Sequence, residues 1–190
     1  MAGSRFVLAV VLSLAVTGGA LAQESNSTAA KKGAPKPGAA EPTAKVEGTF
    51  GSWTLLCGKE STDKKAKERC SLVLPLVEKD TQKLVFRVIF TYGPRGKLVL
   101  RVDGPTGVAL QRGLEFSPDT KKAYRMPFQT CLPMGCKALL IVSDELKKEL
   151  MTSKQGALTV YALNGKAVQT VATFTGFAKG LAALDKRRAG

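Results

Sequence analysis

Between residues 84 and 102 the apolar side chains fall on every second position. Leu84, Phe86, Val88 and Phe90 share one face of an extended segment, and Val85, Arg87, Ile89 and Thr91 form a mixed opposite face. A period of two in β-branched and aromatic residues predicts a strand. Tyr92-Gly93-Pro94-Arg95-Gly96 supplies a turn, after which Leu98, Leu100 and Val102 resume the alternation against Val99, Arg101 and Asp103 until Gly104-Pro105 turns the chain again. The two runs read as a hairpin. Further strands are expected at 53–57, 71–77, 136–142, 157–163 and 168–174, the last two joined through Asn164-Gly165, a dipeptide suited to the positive φ angles of a tight hairpin turn. Many short strands punctuated by Gly and Pro predict an all-β, mainly antiparallel domain, a β-sandwich or a barrel-like fold.

Two stretches change period. Ser143 can cap a helix whose first turn carries Asp144 and Glu145, with Leu146, Leu150 and Met151 as its buried stripe and Gly156 as its end. A second short helix is expected over 178–184, with Leu181 and Leu184 facing inward and Lys186, Arg187 and Arg188 near its C-terminal end, where cations suit the helix dipole. Both read as packing elements on the β domain.

The first forty-five residues carry no such pattern. Arg5, the apolar stretch Phe6 to Val16 and the small-x-small run Ala20-Leu21-Ala22 before Gln23 together read as a cleaved export leader at 1–22. The apolar run is shorter than the roughly 20 residues that span a bilayer, and no later stretch is long enough, so no transmembrane segment is expected after cleavage. Residues 23–45 are Ala, Gly, Pro, Ser, Thr, Glu and Lys without an aromatic or large aliphatic side chain, which predicts a disordered tether. Asn26-Ser27-Thr28 matches a glycosylation acceptor by chance in this Ser/Thr-rich tail. Residues 46–190 are enough for a single core and read as one domain.

Export places the four cysteines in an oxidising compartment, where they read as two disulfides. Cys57 and Cys70 bracket a charged loop, and a bridge there would contribute about 3 kcal/mol by loop-closure entropy. Cys131 and Cys136 close a four-residue loop containing Pro133 and Gly135, for about 2 kcal/mol. Four cysteines allow three connectivities; the local pairing is favoured because neither bridge then requires a particular long-range topology. The same thiols could instead serve a periplasmic thiol-disulfide redox protein. However, thioredoxin-like catalysis uses two intervening residues at a helix N-terminus, and here there are four, followed by a strand pattern.

The chain contains no histidine. This removes Ser-His-Asp and Cys-His nucleophile activation and histidine acid/base chemistry. Asp103, Asp119, Asp144 and Glu145 stand beside turns or at a helix start, where capping is their ordinary role. No phosphate-binding loop or dinucleotide fingerprint occurs, the Cys57 to Cys70 spacing does not suit a zinc site, and no metal or cofactor is expected. The chain reads as a non-enzyme.

Charge is the remaining strong feature. The formal net charge is +14, and about +13 without Arg5. Such an excess seeks anionic partners through long-range attraction that salt screens. Candidate anion-binding residues are Lys59, Lys64, Lys65, Lys67 and Arg69 around the first cysteine pair, and Lys121, Lys122 and Arg125 further on; Lys147, Lys148 and the 186–188 tail add to the basic surface. Plausible targets are anionic envelope or host lipids and glycans; a structural envelope protein bound to other periplasmic proteins is the alternative. Nucleic acid is not expected, because Phe86 and Phe90 belong to the core face and Trp53, beside Cys57, reads as core. Tyr92, Tyr124 and Tyr161 are candidate surface contacts.

Gly51-Ser52-Trp53 followed by Cys57, the segment Phe128-Gln129-Thr130-Cys131-Leu132-Pro133-Met134-Gly135-Cys136, and Phe174-Thr175-Gly176-Phe177 leading into Gly180-Leu181-Ala182-Ala183-Leu184 together resemble the invasion-associated locus B family of exported bacterial proteins. The cysteine-loop segment is the most specific of the three. The resemblance implies a β-rich protein of the periplasm, the cell surface or the exterior, linked in some pathogens with host-cell invasion or colonisation and without an established catalytic residue set. The long Ala/Pro/Lys tether and the high positive charge depart from the family pattern.

Overall fold

The computed structural model describes residues 44–59, 67–119 and 122–188. The expected leader, nearly all of the tether, and Lys64, Lys65 and Lys121 lie outside the described residues. Among the described residues are eleven strands: β1 (Lys45–Phe50), β2 (Trp53–Lys59), β3 (Glu68–Val77), β4 (Leu84–Tyr92), β5 (Leu98–Gly104), β6 (Leu114–Pro118), β7 (Tyr124–Met126), β8 (Phe128–Leu132), β9 (Gly135–Ile141), β10 (Gln155–Tyr161) and β11 (Ala167–Thr173). Two α-helices join them, α1 (Asp144–Thr152) and α2 (Phe177–Arg188). A seven-stranded sheet runs β1-β2-β3-β4-β5-β9-β8 and a four-stranded sheet runs β11-β10-β6-β7. Every strand pair is antiparallel, and the inner residues of both sheets belong to one hydrophobic cluster.

The alternation anticipated from the sequence sets which face is buried. On β2, Trp53, Leu55 and Cys57 are buried while Thr54, Leu56 and Gly58 are half-exposed. On β5, Leu98, Leu100, Val102 and Gly104 are buried against half-exposed Val99, Arg101 and Asp103. Strand β4 breaks the rule at two positions: Leu84 is exposed at the strand start, and Ile89 is buried on the outer face.

Trp53 organises the core. Its ring packs on Phe90 at 5.7 Å, Phe174 at 5.6 Å and Phe177 at 5.1 Å between centroids, bringing together β4, the chain after β11 and the start of α2. Such pairs contribute about 0.5–1.5 kcal/mol each beyond area burial. The indole N–H donates to the Thr173 carbonyl at 3.1 Å, so the one polar atom of this fully buried side chain is satisfied. Gly51 and Gly176, both at positive φ (62° and 87°), let the β1–β2 turn and the turn into α2 meet backbone to backbone. A Cβ on Gly176 would lie 2.1 Å from the Phe50 carbonyl oxygen.

The cysteines form Cys57–Cys70 and Cys131–Cys136, the local pairing. Each bridge joins residues directly opposite one another, across β2–β3 and across β8–β9.

Several boundaries differ from expectation. Strand β1 begins at Lys45, inside the stretch read as tether, and β6, β7 and β8 were not anticipated. Helix α1 is capped by Ser143, whose hydroxyl accepts from the Leu146 N–H at 3.2 Å, and it ends at Thr152, with the Ser153 N–H donating to the Glu149 carbonyl. Gly156 belongs instead to β10, where a Cβ would meet Phe116 at 2.6 Å and Phe174 at 2.9 Å; it was read as a helix stop and is a close-packing glycine. Leu146 and Leu150 are buried as expected, but Met151 is 43 % exposed because it lies one position past the i, i+4 stripe. Helix α2 starts at Phe177 and runs on to Arg188.

Candidate anion-binding face

The cations nearest the first disulfide are positioned by β-pairing. Arg69 stands opposite Gly58, and Glu68 opposite Lys59, one and two residues beyond the Cys57–Cys70 bridge. The neighbouring strand is fastened to this end by the Thr91 hydroxyl, which donates to the Cys70 carbonyl at 3.0 Å. Against the same end lies the last turn of α2, rich in Lys186, Arg187 and Arg188 as the dipole favours.

That turn is held on three sides. Arg187 pairs with Glu47 of β1. Arg188 stacks its guanidinium on the Tyr92 ring at 4.6 Å. Asp185 accepts from the Tyr92 hydroxyl and pairs with Lys147 of α1 at 3.4 Å. Burial, the bond to Asp185 and the carboxylate's charge together raise the Tyr92 pKa above its ordinary value, against smaller opposing effects of Lys147 and Arg188. The result is a cleft of about 400 Å³ lined by Lys67, Arg69, Arg187 and Arg188, with Glu68 as the one carboxylate among its described lining residues and Tyr92 and Leu184 as its walls.

A family model described as "Invasion associated locus B (IalB) protein" matches residues 53–185, from Trp53 at the centre of the core to the Asp185 that anchors this helix turn. The chain belongs to the invasion associated locus B family. The crystal structure of invasion associated protein B from Bartonella henselae is similar, with a TM-score of 0.66 and 18 % sequence identity over 77 % of this chain and 97 % of that one. No curated protein matches the sequence.

The IalB-family chain therefore brings two of its anticipated anion-binding residues, Lys67 and Arg69, into one cleft with the α2 tail. Lys59 lies with Arg69 on a different surface, the outer face of the seven-stranded sheet. Lys122 and Arg125 sit by β7 on the other sheet and line neither cleft. Arg125 is committed to structure, because its guanidinium donates to the carbonyls of Gln111 and Arg112 and pins the 3₁₀ turn Leu110–Arg112. Lys122 lies over the Tyr124 ring at 5.1 Å.

The three tyrosines share one arrangement. Each hydroxyl meets a carboxylate (Asp185 for Tyr92, Glu149 for Tyr124, Glu115 for Tyr161), and each ring carries a cation (Arg188, Lys122, Arg112). They are half-buried braces that place cations, spread over separate elements. Sequence reasoning missed Arg87 and Arg101 as candidates, although the mixed face of the β4–β5 hairpin was the signal: Arg87 faces Asp103 and Ile89 faces Arg101 in register. Among the described residues no polar or charged residue is fully buried, and no helix is long and apolar enough to cross a membrane.

Proposed function

We propose that this IalB-family chain is an exported, non-catalytic binding module of the bacterial envelope or exterior, which contacts an anionic lipid or glycan through its basic surface and so contributes to colonisation or invasion. The observation that carries this reading is the cleft in which Lys67, Arg69, Arg187 and Arg188 converge, with Glu68 the carboxylate among its described lining residues and Glu47 paired to Arg187. Arg69 on disulfide-joined β3 and Arg187 and Arg188, held by Glu47 and Tyr92, meet a polyanion with less side-chain freedom to lose, and this preorganisation favours affinity. The absence of histidine from the sequence and the exposure of the described charged groups fit binding better than proton-transfer chemistry. Cys136 opens a strand instead of a helix, so the second disulfide lacks the helix N-terminus that lowers a reactive thiol's pKa.

The test is retention on a heparin-like sulfated oligosaccharide and on lipid A-like vesicles across a salt series. Binding that weakens steadily with salt, and further in Arg187→Gln/Arg188→Gln with the fold intact by circular dichroism, is expected. No retention of the wild type at low salt would overturn the reading.

A second reading, a structural envelope protein held by protein partners, draws on the turn closed by Cys131–Cys136, where Leu132 is 52 % and Met134 is 99 % exposed. A photocrosslinker at position 134 in living cells should then capture one defined envelope protein; labelling of lipid alone counts against it.

A further inference from the structure

The outer face of the seven-stranded sheet holds an open groove of about 550 Å³. Its floor is apolar: Leu56, Val73 and Ile89 lie between Pro75 and Ala44, with Ile89 only 3 % exposed. Among the described residues its cations are Lys59, Arg69, Arg87 and Arg101, and none of the described residues lining it is a carboxylate. Asp103 stands opposite Arg87 across the β4–β5 pair, and Glu68 stands opposite Lys59 across the β2–β3 pair. Arg101 already holds Asp103, with Nε 3.0 Å from Oδ1 and Nη2 3.2 Å from Oδ2. Among the described residues Arg87 has no ion-pair partner.

An antiparallel sheet face turned to water is ordinarily polar. Here one cross-strand row reads Thr54, Val73, Ile89, Arg101 across β2, β3, β4 and β5, so a strip of aliphatic floor leads to a guanidinium. Arg87 lies one row along on β4, beside Pro75 of β3. Three strand spacings at about 4.8 Å give the strip a length of about 14 Å. Arginine stems cover apolar surface while their heads stay in water, and a guanidinium meets a phosphate through two parallel N–H bonds.

We propose that this groove binds a single anionic lipid molecule, its phosphate held by Arg87 and Arg101 and its acyl chain laid across Ile89, Val73 and Leu56. The occupant is argued from charge and apolarity together. The chain's own residues 23–43 offer no large aliphatic side chain and carry Lys31, Lys32 and Lys36 against Glu24 and Glu41, so they match neither the floor nor the rim. A second copy of a chain of net charge +14 would bring like charge to a cationic rim. A sulfated glycan would satisfy the cations and leave the floor wet. The inference shares with the proposed function only the premise of an anionic partner, and its residues other than Arg69 lie outside the α2 cleft.

The experiment uses the mature, disulfide-intact chain with lysophosphatidylglycerol as probe, read by native mass spectrometry and by displacement of a fluorescent acyl probe. One lysophosphatidylglycerol per chain is expected, with affinity rising with acyl length, while zwitterionic lysophosphatidylcholine and chain-free glycerol 3-phosphate bind at least about tenfold more weakly. Arg87→Gln and Val73→Gln, each verified by thermal melting, should each weaken lysophosphatidylglycerol about fivefold or more, whereas Arg187→Gln/Arg188→Gln leaves it unchanged. Equal binding of the two lysolipids, full competition by glycerol 3-phosphate, or wild-type affinity in both groove variants would overturn the proposal, as would adsorption to vesicles without extraction of a monomer. Heparin retention without lysolipid binding overturns the groove and leaves the α2 cleft standing; loss of both overturns both readings.

Discussion

Gly176→Ala tests whether the contact between the β1–β2 turn and the turn into α2 positions the helix. Gly176 has φ of 87°, and an added Cβ would lie 2.1 Å from the Phe50 carbonyl oxygen, 2.5 Å from its carbon and 2.9 Å from the Gly51 nitrogen. Two costs are separable. An L-residue at positive φ costs about 1–2 kcal/mol. The collision is with backbone, which cannot swing aside as a side-chain tip can, and overpacking of this kind costs about 1–3 kcal/mol more. Gly165 isolates the first cost: its φ is 82°, yet nothing lies within 4 Å of the Cβ it would carry. With about 2–4 °C of Tm per kcal/mol for a domain of this size, Gly176→Ala should lower Tm by about 10 °C and Gly165→Ala by about 4 °C. Thermal unfolding followed by circular dichroism and by Trp53 fluorescence measures both. Because Phe174 and Phe177 flank Gly176 and pack on Trp53, the fluorescence of native Gly176→Ala should also shift, and that of Gly165→Ala should not. Equal Tm losses in the two variants would refute the steric argument.

Replacing Cys57 and Cys70 with alanine should cost about 3 kcal/mol in urea unfolding, and replacing Cys131 and Cys136 about 2 kcal/mol, because the first loop is longer; the reverse order would count against the loop-entropy account. Tyr92 titrates above its ordinary value of 10.0 in the folded chain, through burial first and Asp185 second. Its contribution is therefore full below pH 10 and is lost as pH rises from 10 through the folded pKa. Tyr92→Phe should be less stable than wild type near pH 7 and should decline less steeply above pH 10, with Tyr124, raised by burial and Glu149, supplying the rest of the decline. Ser143→Ala removes the hydroxyl that accepts from the Leu146 N–H and should cost about 1 kcal/mol by the same unfolding measurement, while Ser153→Ala, at the other end of α1, should cost less.

Strands whose two faces differ and whose partner follows through a short turn were legible before any coordinates. The β4–β5 hairpin and the Asn164-Gly165 turn between β10 and β11 are of this kind. The strands that escaped lack one of those signals. Strand β6 pairs with β10, about forty residues away, and β7 is only three residues long. In β1 no residue is fully buried, so the strand has no apolar rhythm to read. Gly156 shows how one residue type misleads: a glycine after an amphipathic run suggests a helix end, but here two phenylalanine rings exclude any larger side chain. The basic residues were legible as charge and not as place. Adjacency in sequence put Arg125 beside Lys122, but backbone carbonyls claim Arg125, while Arg187 and Arg188 reach the first disulfide from the far end of the chain.

The division between core and rim also determines what family membership conveys. Two of the three segments that carry the resemblance face inward or hold turns: Trp53, Cys57, Phe174 and Phe177 are buried, and Gly51 and Gly176 permit a backbone contact, whereas the third, 128–136, is largely exposed around its disulfide. Substituting any of the buried ones alters packing before it alters a surface. A match over 53–185 thus transmits a scaffold, two cross-strand disulfides and a helix seated on Trp53. The residues proposed to meet a partner are of the opposite kind. Arg87, Arg187 and Arg188 are exposed, and their replacement by glutamine removes charge without opening a cavity, although Arg187 and Arg188 also give up the Glu47 pair and the Tyr92 stack. Binding and stability should therefore separate most cleanly at Arg87: core variants lower Tm and carry binding down only as the fold is lost, Arg87→Gln changes binding at nearly constant Tm, and Arg187→Gln/Arg188→Gln adds a small Tm loss from the Glu47 and Tyr92 contacts. A rim variant that melted early would move its arginine from the partner-facing surface to the scaffold, as the carbonyl bonds of Arg125 already do for that residue.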